Sequence, residues 1–526
     1  MNLRLSMLLT ASCLAAIAQN FPVAGVVVNA QTGSPMRRVR IELKSSEAQS
    51  PPLSTVTGDE GRFSFSVLQG KYSLIAEHGG VRLPFGFVVS SGRTPGVSIV
   101  TGPDRDTSHL TFRWFMPGAI TGTIADERGE PVEAALVQLI YSFISGGRKQ
   151  TTSAKFVYTD DRGQYRFAPL ISGHYYLAVT AVPWYAETHL AQKNINGSSE
   201  PTATYASSYY PGVGGLRSAK PIILQPASEI RADFTLRTIA GANVHVNCPS
   251  AAGRNGIVSL MSEEVEGAAG FQRTRNFAGN YVTIPAVPPG RYVVRMAGTG
   301  DKPLSVRKII DVAATDITVE MALQPPPTVS GLVTFANPAT RPKSAVYVRL
   351  LNEATGRSLS STIEPDGAFE FRSVTVAKYR PQIWGAGGFA VAELSSSGAN
   401  LKDGVIDVED GAAVTLKIVA GDDVGNVKGF VMNDGKPVMG VAAVLAPQKG
   451  SADPRDYHGF QTDSDGSFDF KNVRAGDYIL FAVTQPDLEY ANPAVVKPYL
   501  AAGKPIRVDR KTTTTENIGV STAPRN

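Results

Sequence analysis

The chain has 526 residues, 43% of them hydrophobic and 18% charged, with 51 Gly and 35 Pro. That length exceeds what one hydrophobic core serves, the composition excludes a disordered polymer, and the Gly and Pro load excludes an architecture of long helices. The net charge of +5 is scattered, with no Lys/Arg block of the kind a nucleic-acid partner requires.

In chain order, the first feature is a secretory signal peptide over residues 1–18. Arg4 supplies the positive start, Leu5 to Leu14 the apolar stretch, and Ala16-Ile17-Ala18 the small-residue cleavage site. A buried N-terminal helix is the competing reading. Lipidation at Cys13 is a second alternative, disfavoured because Thr10 stands where a lipoprotein signal has an aliphatic residue. No later apolar run is long enough to span a membrane, so the mature chain is expected in the periplasm, on the cell surface or secreted, with no integral membrane segment. Cleavage leaves Cys248 as the one thiol. No internal disulfide can then form, and each domain must stand on its core alone. The strand-like run Val244-His245-Val246-Asn247-Cys248 places that thiol in a core.

A pattern then recurs five times. The first copy is Thr57-Gly58-Asp59-Glu60-Gly61-Arg62-Phe63-Ser64-Phe65, followed by Gly70-Lys71-Tyr72. The second is Thr159-Asp160-Asp161-Arg162-Gly163-Gln164-Tyr165-Arg166-Phe167, with Gly173-His174-Tyr175. The third is Gly279-Asn280-Tyr281-Val282-Thr283-Ile284, with Gly290-Arg291-Tyr292, and the fourth is Asp366-Gly367-Ala368-Phe369-Glu370-Phe371, with Ala377-Lys378-Tyr379. The fifth is Thr462-Asp463-Ser464-Asp465-Gly466-Ser467-Phe468-Asp469-Phe470, with Gly476-Asp477-Tyr478. Asx beside Gly makes a tight turn. Aromatic–polar–apolar alternation then puts Phe63 and Phe65 on one strand face and Ser64 on the other. The closing Tyr opens another alternating strand, and its hydroxyl suits a sandwich corner by bonding nearby backbone.

An opening strand precedes each copy, as in Gly25-Val26-Val27, Gly122-Thr123-Ile124, Gly331-Leu332-Val333 and Gly429-Phe430-Val431. An alternating strand closes each unit, as in Leu110-Thr111-Phe112-Arg113-Trp114. Trp114 and Trp384 both read as core residues of strands. The fold class is therefore all-β, about five tandem Ig-like or transthyretin-like β-sandwich domains after the signal peptide. Their expected bounds are 19–116, 117–239 with an insertion at 183–218, 240–325, 326–421 and 422–526. Short junctions such as Pro325-Pro326-Pro327 predict a stiff rod with limited bending.

The T-D-x-x-G-x-F-x-F and G-x-Y motifs, with the opening G-x-V, resemble the carboxypeptidase regulatory-like domain. The likeness is closest in the first, second and fifth units. It implies a transthyretin-like (prealbumin-like) sandwich, often grouped with carbohydrate-binding-like folds and common in secreted bacterial proteins. In zinc carboxypeptidases that domain accompanies a catalytic domain, and the sequence shows none beside it here.

Catalytic motifs are missing on their own terms. The six histidines form no H-E-x-x-H or H-x-x-E pattern, and neither a G-x-S-x-G elbow nor a phosphate loop stands out. The chain reads as a non-catalytic binding or scaffold protein without a cofactor. An enzyme with an unrecognised site is the remote alternative. For calcium, Asp463 and Asp465 are the candidates, but the downstream Glu of an EF-hand is missing and a plain turn explains the pattern. The insertion carries the ligand-site candidates Trp184, Tyr185, Tyr205, Tyr209 and Tyr210, with Gln192, Asn194 and Asn196 as hydrogen-bonding groups. Such rings stack on sugar faces or pin a long loop to its sandwich. A carbohydrate or envelope polymer is the first partner expected. An envelope protein, bound by an adaptor along exposed sheet edges, is the second.

Overall fold

The computed structural model describes residues 19–46, 50–86, 96–185, 202–263, 270–299, 304–342, 344–385, 389–451, 453–485 and 487–521. The stretch 1–18 that reads as a signal peptide, with Cys13 in it, and Gln192, Asn194 and Asn196 lie outside them. The described residues form ten sheets, which pair into tandem β-sandwiches.

The first sandwich shows the plan. Its opening strand, Phe21–Asn29, lies between the motif strand Arg62–Val67, antiparallel, and the closing strand Leu110–Trp114, parallel. The facing sheet centres on Arg40–Ser45 paired with the tyrosine strand Gly70–His78. Motif-strand burial alternates strictly, with Phe63, Phe65 and Val67 inward and Arg62, Ser64 and Ser66 outward. Each inward ring contributes about 1.5–3 kcal/mol through the area it removes from water.

The same plan recurs in residues 115–526. Opening strands Gly118–Ala125, Thr238–Asn247, Thr328–Phe335 and Val424–Asn433 each pair antiparallel with a motif strand and parallel with a closing strand. The parallel neighbour explains the opening glycines. A Cβ at Gly25, Gly122, Gly331 or Gly429 would sit 1.8–2.1 Å from a carbonyl oxygen of the closing segment.

Three devices account for the motif. The threonine before the turn is buried and ties the turn to the strand below it. Thr57 Oγ1 donates to Met36 O at 2.7 Å and accepts from Val39 N at 3.0 Å. Thr159 does the same with Val132 O and Ala135 N, and Thr462 with Val438 O and Val441 N. The turn glycines Gly61, Gly163, Gly279, Gly367 and Gly466 have φ between +68° and +97°, which side chains disfavour. The tyrosine hydroxyl donates to the carbonyl four residues earlier in all five copies. The pairs are Tyr72–Leu68, Tyr175–Ile171, Tyr292–Pro288, Tyr379–Thr375 and Tyr478–Arg474, at 2.6–3.0 Å.

Trp114 and Cys248 are fully buried, as expected. Trp384 is not: it is 59% exposed. In the strand Ala377–Trp384, Tyr379 and Pro381 point inward, so the parity of the strand turns Trp384 outward, where the Arg349 guanidinium lies 5.0 Å from its ring centre.

The stiff rod is also corrected within residues 115–526. There the hairpin tip joining Leu136–Ser145 to Arg148–Tyr158 meets the loop before a short helix, Pro493–Leu500, in the last sandwich. Ala491 N donates to Gly147 O at 2.9 Å, and the Tyr490 ring lies against both Gly147 and Gly459. These sandwiches are not neighbours in the chain, so stiff junctions do not keep them apart. The junctions carry contacts of their own. Gly270 N donates to Gln138 Oε1 at 2.7 Å, and Arg307 N to Asp410 Oδ2 at 2.8 Å.

Candidate functional site

The second sandwich carries the insertion, and its described parts divide in two. One part packs into the sandwich. Tyr209 is 1% exposed and sits in an apolar cluster with Ile140 and Ala178, its backbone paired to Ala178 as Ser208 pairs with Val179. Tyr210 is half-buried against Phe234, with ring centres 6.1 Å apart. Rings held this way fix the loop to its sandwich, and Tyr209 offers no face to a ligand.

The other part opens onto a cleft of about 280 Å³ at the end of the sandwich. Trp184, 77% exposed, and Tyr185, 40% exposed, stand at right angles to each other with ring centres 5.8 Å apart. Tyr205 lines the same cleft from the short strand Thr202–Tyr205, which pairs with Thr238–Gly241. Tyr205 is only 6% exposed, yet its hydroxyl has no hydrogen-bond partner among the described residues. Burial first, then Asp126, Tyr185, Glu127 and Glu130, pushes its pKa up to about 12. At neutral pH it is therefore a hydroxyl able to donate into the cleft. The insertion candidates thus separate into Trp184, Tyr185 and Tyr205 at the cleft, and Tyr209 and Tyr210 in the packing.

The remaining wall comes from turns of the repeat. After the opening strand, the chain turns through Asp126 to Glu130, with Asp126 Oδ1 accepting from Arg128 N and Glu130 N, both at 2.9 Å. Glu127 Oε2 accepts from Thr238 N at 3.2 Å, and its own amide together with Thr238 holds its carboxyl below the usual range. Glu133 and the motif-turn residue Asp161 complete an acidic lining, with Arg128 the one cation among the described residues that line it. Glu130, Glu133 and Asp161 have neither ion pair nor side-chain hydrogen bond among the described residues. In the sequence these acids read as ordinary turn residues. The signal available there was their density in Asp126-Glu127-Arg128-Gly129-Glu130-Pro131-Val132-Glu133, in the same unit as the insertion.

For calcium, the Asp463 turn is closed by backbone bonds from Asp463 N to Ser467 O and from Gly466 N to Asp463 O. The Asp465 carboxylate accepts from Ser467 N and Oγ. Among the described residues no group of three or more His, Cys, Asp or Glu side chains is placed to hold a metal ion. A second concavity, of about 460 Å³ in the fourth sandwich, is occupied at its wall by Arg341. That guanidinium lies over Phe335 and donates to the carbonyls of Glu364 and Pro365. No helix of the described residues is long and apolar enough to cross a membrane.

A family model described as the second beta sandwich domain of a NOMO1-like BOS complex subunit matches residues 19–84. No curated protein matches the chain. Among solved structures the chain is similar to the Bacillus anthracis TIE protein at 10% identity, over 76% of this chain and 74% of that one, with a TM-score of 0.17. It is similar to a Streptococcal ancillary pilin at 13% identity, over 54% of this chain and 99% of that one, with a TM-score of 0.18. It is also similar to two B repeat units of the Staphylococcus aureus collagen binding protein at 11% identity, over 77% and 100% of the two chains, with a TM-score of 0.13.

Proposed function

We propose that the chain is a non-catalytic binding protein of the bacterial cell surface or periplasm, built of carboxypeptidase regulatory-like sandwiches, and that it holds a carbohydrate or related envelope polymer at the cleft of the second one. One observation carries this reading. A tryptophan 77% exposed to solvent stands at a concave mouth, on an insertion the repeat itself does not need. The motif devices support the family, and the apolar stretch Leu5 to Leu14 supports export. The test is a glycan array with the full mature chain and with Trp184→Ala. Wild type should bind a polysaccharide class that the variant loses, with unchanged thermal melting. An array blank for wild type would sink the reading.

A second reading, a protein adaptor, is favoured by one edge strand. Arg148–Tyr158 lies at the end of its sheet, with Phe156 64% and Tyr158 61% exposed. An extended peptide can add to such an edge. An envelope-protein pull-down that Phe156→Asp abolishes, while glycan binding survives, would favour the adaptor.

A further inference from the structure

The cleft of the second sandwich has a charge that its aromatic content alone does not announce. Asp126, Glu127, Glu130, Glu133 and Asp161 line it against Arg128. Asp126 and Glu127 are occupied by backbone amides, which leaves Glu130, Glu133 and Asp161 as carboxylates without partners among the described residues. Like charges in a concave wall focus a negative potential into it. The aromatic faces of Trp184 and Tyr185 carry a quadrupole of the same sign, which attracts cations. The third feature is independent of both: the nine-tenths-buried Tyr205 reaches the cleft with a hydroxyl that nothing in the described protein satisfies. A hydroxyl that has no protein partner and reaches the cleft is free to donate to, or accept from, a ligand atom there.

From this combination we infer that the cleft takes an ammonium-bearing sugar, a saccharide unit with a free amine. This rests on the carbohydrate reading above and names the class within it. The ammonium lies among Glu130, Glu133 and Asp161, the apolar face of the ring lies on Trp184, and a ring oxygen or hydroxyl meets Tyr205. A neutral N-acetylated sugar keeps the stacking but leaves the carboxylates uncompensated. An anionic sugar is repelled.

The test is calorimetric titration of the full mature chain with a glucosamine oligomer, with the same oligomer N-acetylated, and with oligolysine. All are run at about pH 5.5, where free carboxylates remain ionised. The expected result is binding of the glucosamine oligomer at least about tenfold tighter than its acetylated form. That binding should weaken at least about tenfold between 0.05 and 0.5 M salt. Glu130→Gln with Glu133→Gln should erase the preference for the free amine, with the melting temperature unchanged. Tyr205→Phe should weaken binding without altering its salt dependence. Equal binding of both oligomers overturns the ammonium inference and leaves the carbohydrate reading standing. Oligolysine bound as tightly as the glucosamine oligomer, and lost in Trp184→Ala, overturns the sugar and points to a basic protein partner. No binding to any of the three overturns both.

Discussion

Arg380 is the residue whose removal should cost the fold most for its size. It lies on the tyrosine strand of the fourth sandwich with its side chain 5% exposed. Its Nε and Nη2 donate to both oxygens of Glu353 at 2.7 and 3.2 Å, and Nη1 donates to Asp403 O at 2.8 Å. The same Nη1 lies 3.5 Å from Asp453 of the fifth sandwich. Asp453 in turn accepts from Arg455, and Arg474 reaches back from the fifth sandwich to Val391 O in the fourth. Arg380→Ala strands Glu353, whose side chain is only 23% exposed, while Asp453 keeps its pair with Arg455. Breaking a buried pair from one side costs about 3–5 kcal/mol, because the partner charge stays buried without compensation. For a domain of this size each kcal/mol moves the melting temperature by about 4–8 °C, so the fourth sandwich should melt at least roughly 12 °C lower. Scanning calorimetry of the full chain measures the shift. Hydrogen exchange in Tyr347–Asn352 and Ala377–Trp384 assigns it to that sandwich. Replacing the pair together, Arg380→Met with Glu353→Leu, should recover most of the loss, since an apolar pair of similar volume is often neutral. A single variant that shifts melting by under about 3 °C, or a double variant as damaged as the single one, would refute the reasoning.

Thr462→Val removes a hydroxyl that bonds two buried backbone groups and should destabilise the fifth sandwich by about 1–3 kcal/mol in urea unfolding. A loss within error would show that the latch is dispensable. Burial above all, with Arg474 adding to it and Asp456 opposing it, pushes His458 from 6.5 to about 4. The unfolded ring takes up its proton first, so this stability is full above pH 6.5 and drains as pH falls from 6.5 towards 4; His458→Gln should flatten that window in pH-dependent denaturation midpoints. Asp453 is held below its usual 3.8 because hydrogen bonds and charge from Arg455 and Arg380 outweigh its burial, so its contribution is full above pH 3.8 and lost only below it. Gly147→Leu would drive a Cβ to 2.4 Å from the Tyr490 ring, and exchange across Pro493–Leu500 should accelerate without loss of the second sandwich. Unchanged exchange there would mean the clasp carries no stability.

Much of the fold could be read from the chain because its devices are local. Alternation across Arg62–Val67 follows from side-chain parity, and the Tyr72 bond spans four residues. What could not be read depends on distant partners. The opening strand finds its parallel neighbour 85 positions away, as in Gly25 with Leu110, and no local pattern records that pairing. Trp384 reads as core by its hydrophobicity alone, whereas strand parity, counted in twos from Tyr379, turns it outward. At the site the rings were visible and the acids were not. Trp184 and Tyr205 are conspicuous by type, whereas Glu130 and Asp161 meet only when two turns 31 positions apart fold to one end of the sandwich.

The acidic turn argues for function because the corresponding turn of other sandwiches folds without the charge. In the first sandwich the turn runs Asn29-Ala30-Gln31-Thr32-Gly33-Ser34-Pro35, and Asn29 Oδ1 accepts from the amides of Gln31 and Thr32. In the second it runs Asp126-Glu127-Arg128-Gly129-Glu130-Pro131, and Asp126 Oδ1 accepts from Arg128 and Glu130. In the fifth it runs Asn433-Asp434-Gly435-Lys436-Pro437. In all three, the proline or its strand pairs back to the end of the opening strand: Val28 with Pro35, Ala125 with Pro131, Met432 with Pro437. The turn therefore folds with a neutral, an acidic or a mixed lining, and folding does not fix its charge. Only the second sandwich puts three acids there, and the second also carries the insertion with Trp184, Tyr185 and Tyr205. Two departures from the repeat converge on one cleft. A surface left to drift gives no reason for them to coincide, whereas a ligand that is both apolar-faced and positively charged requires both at one place.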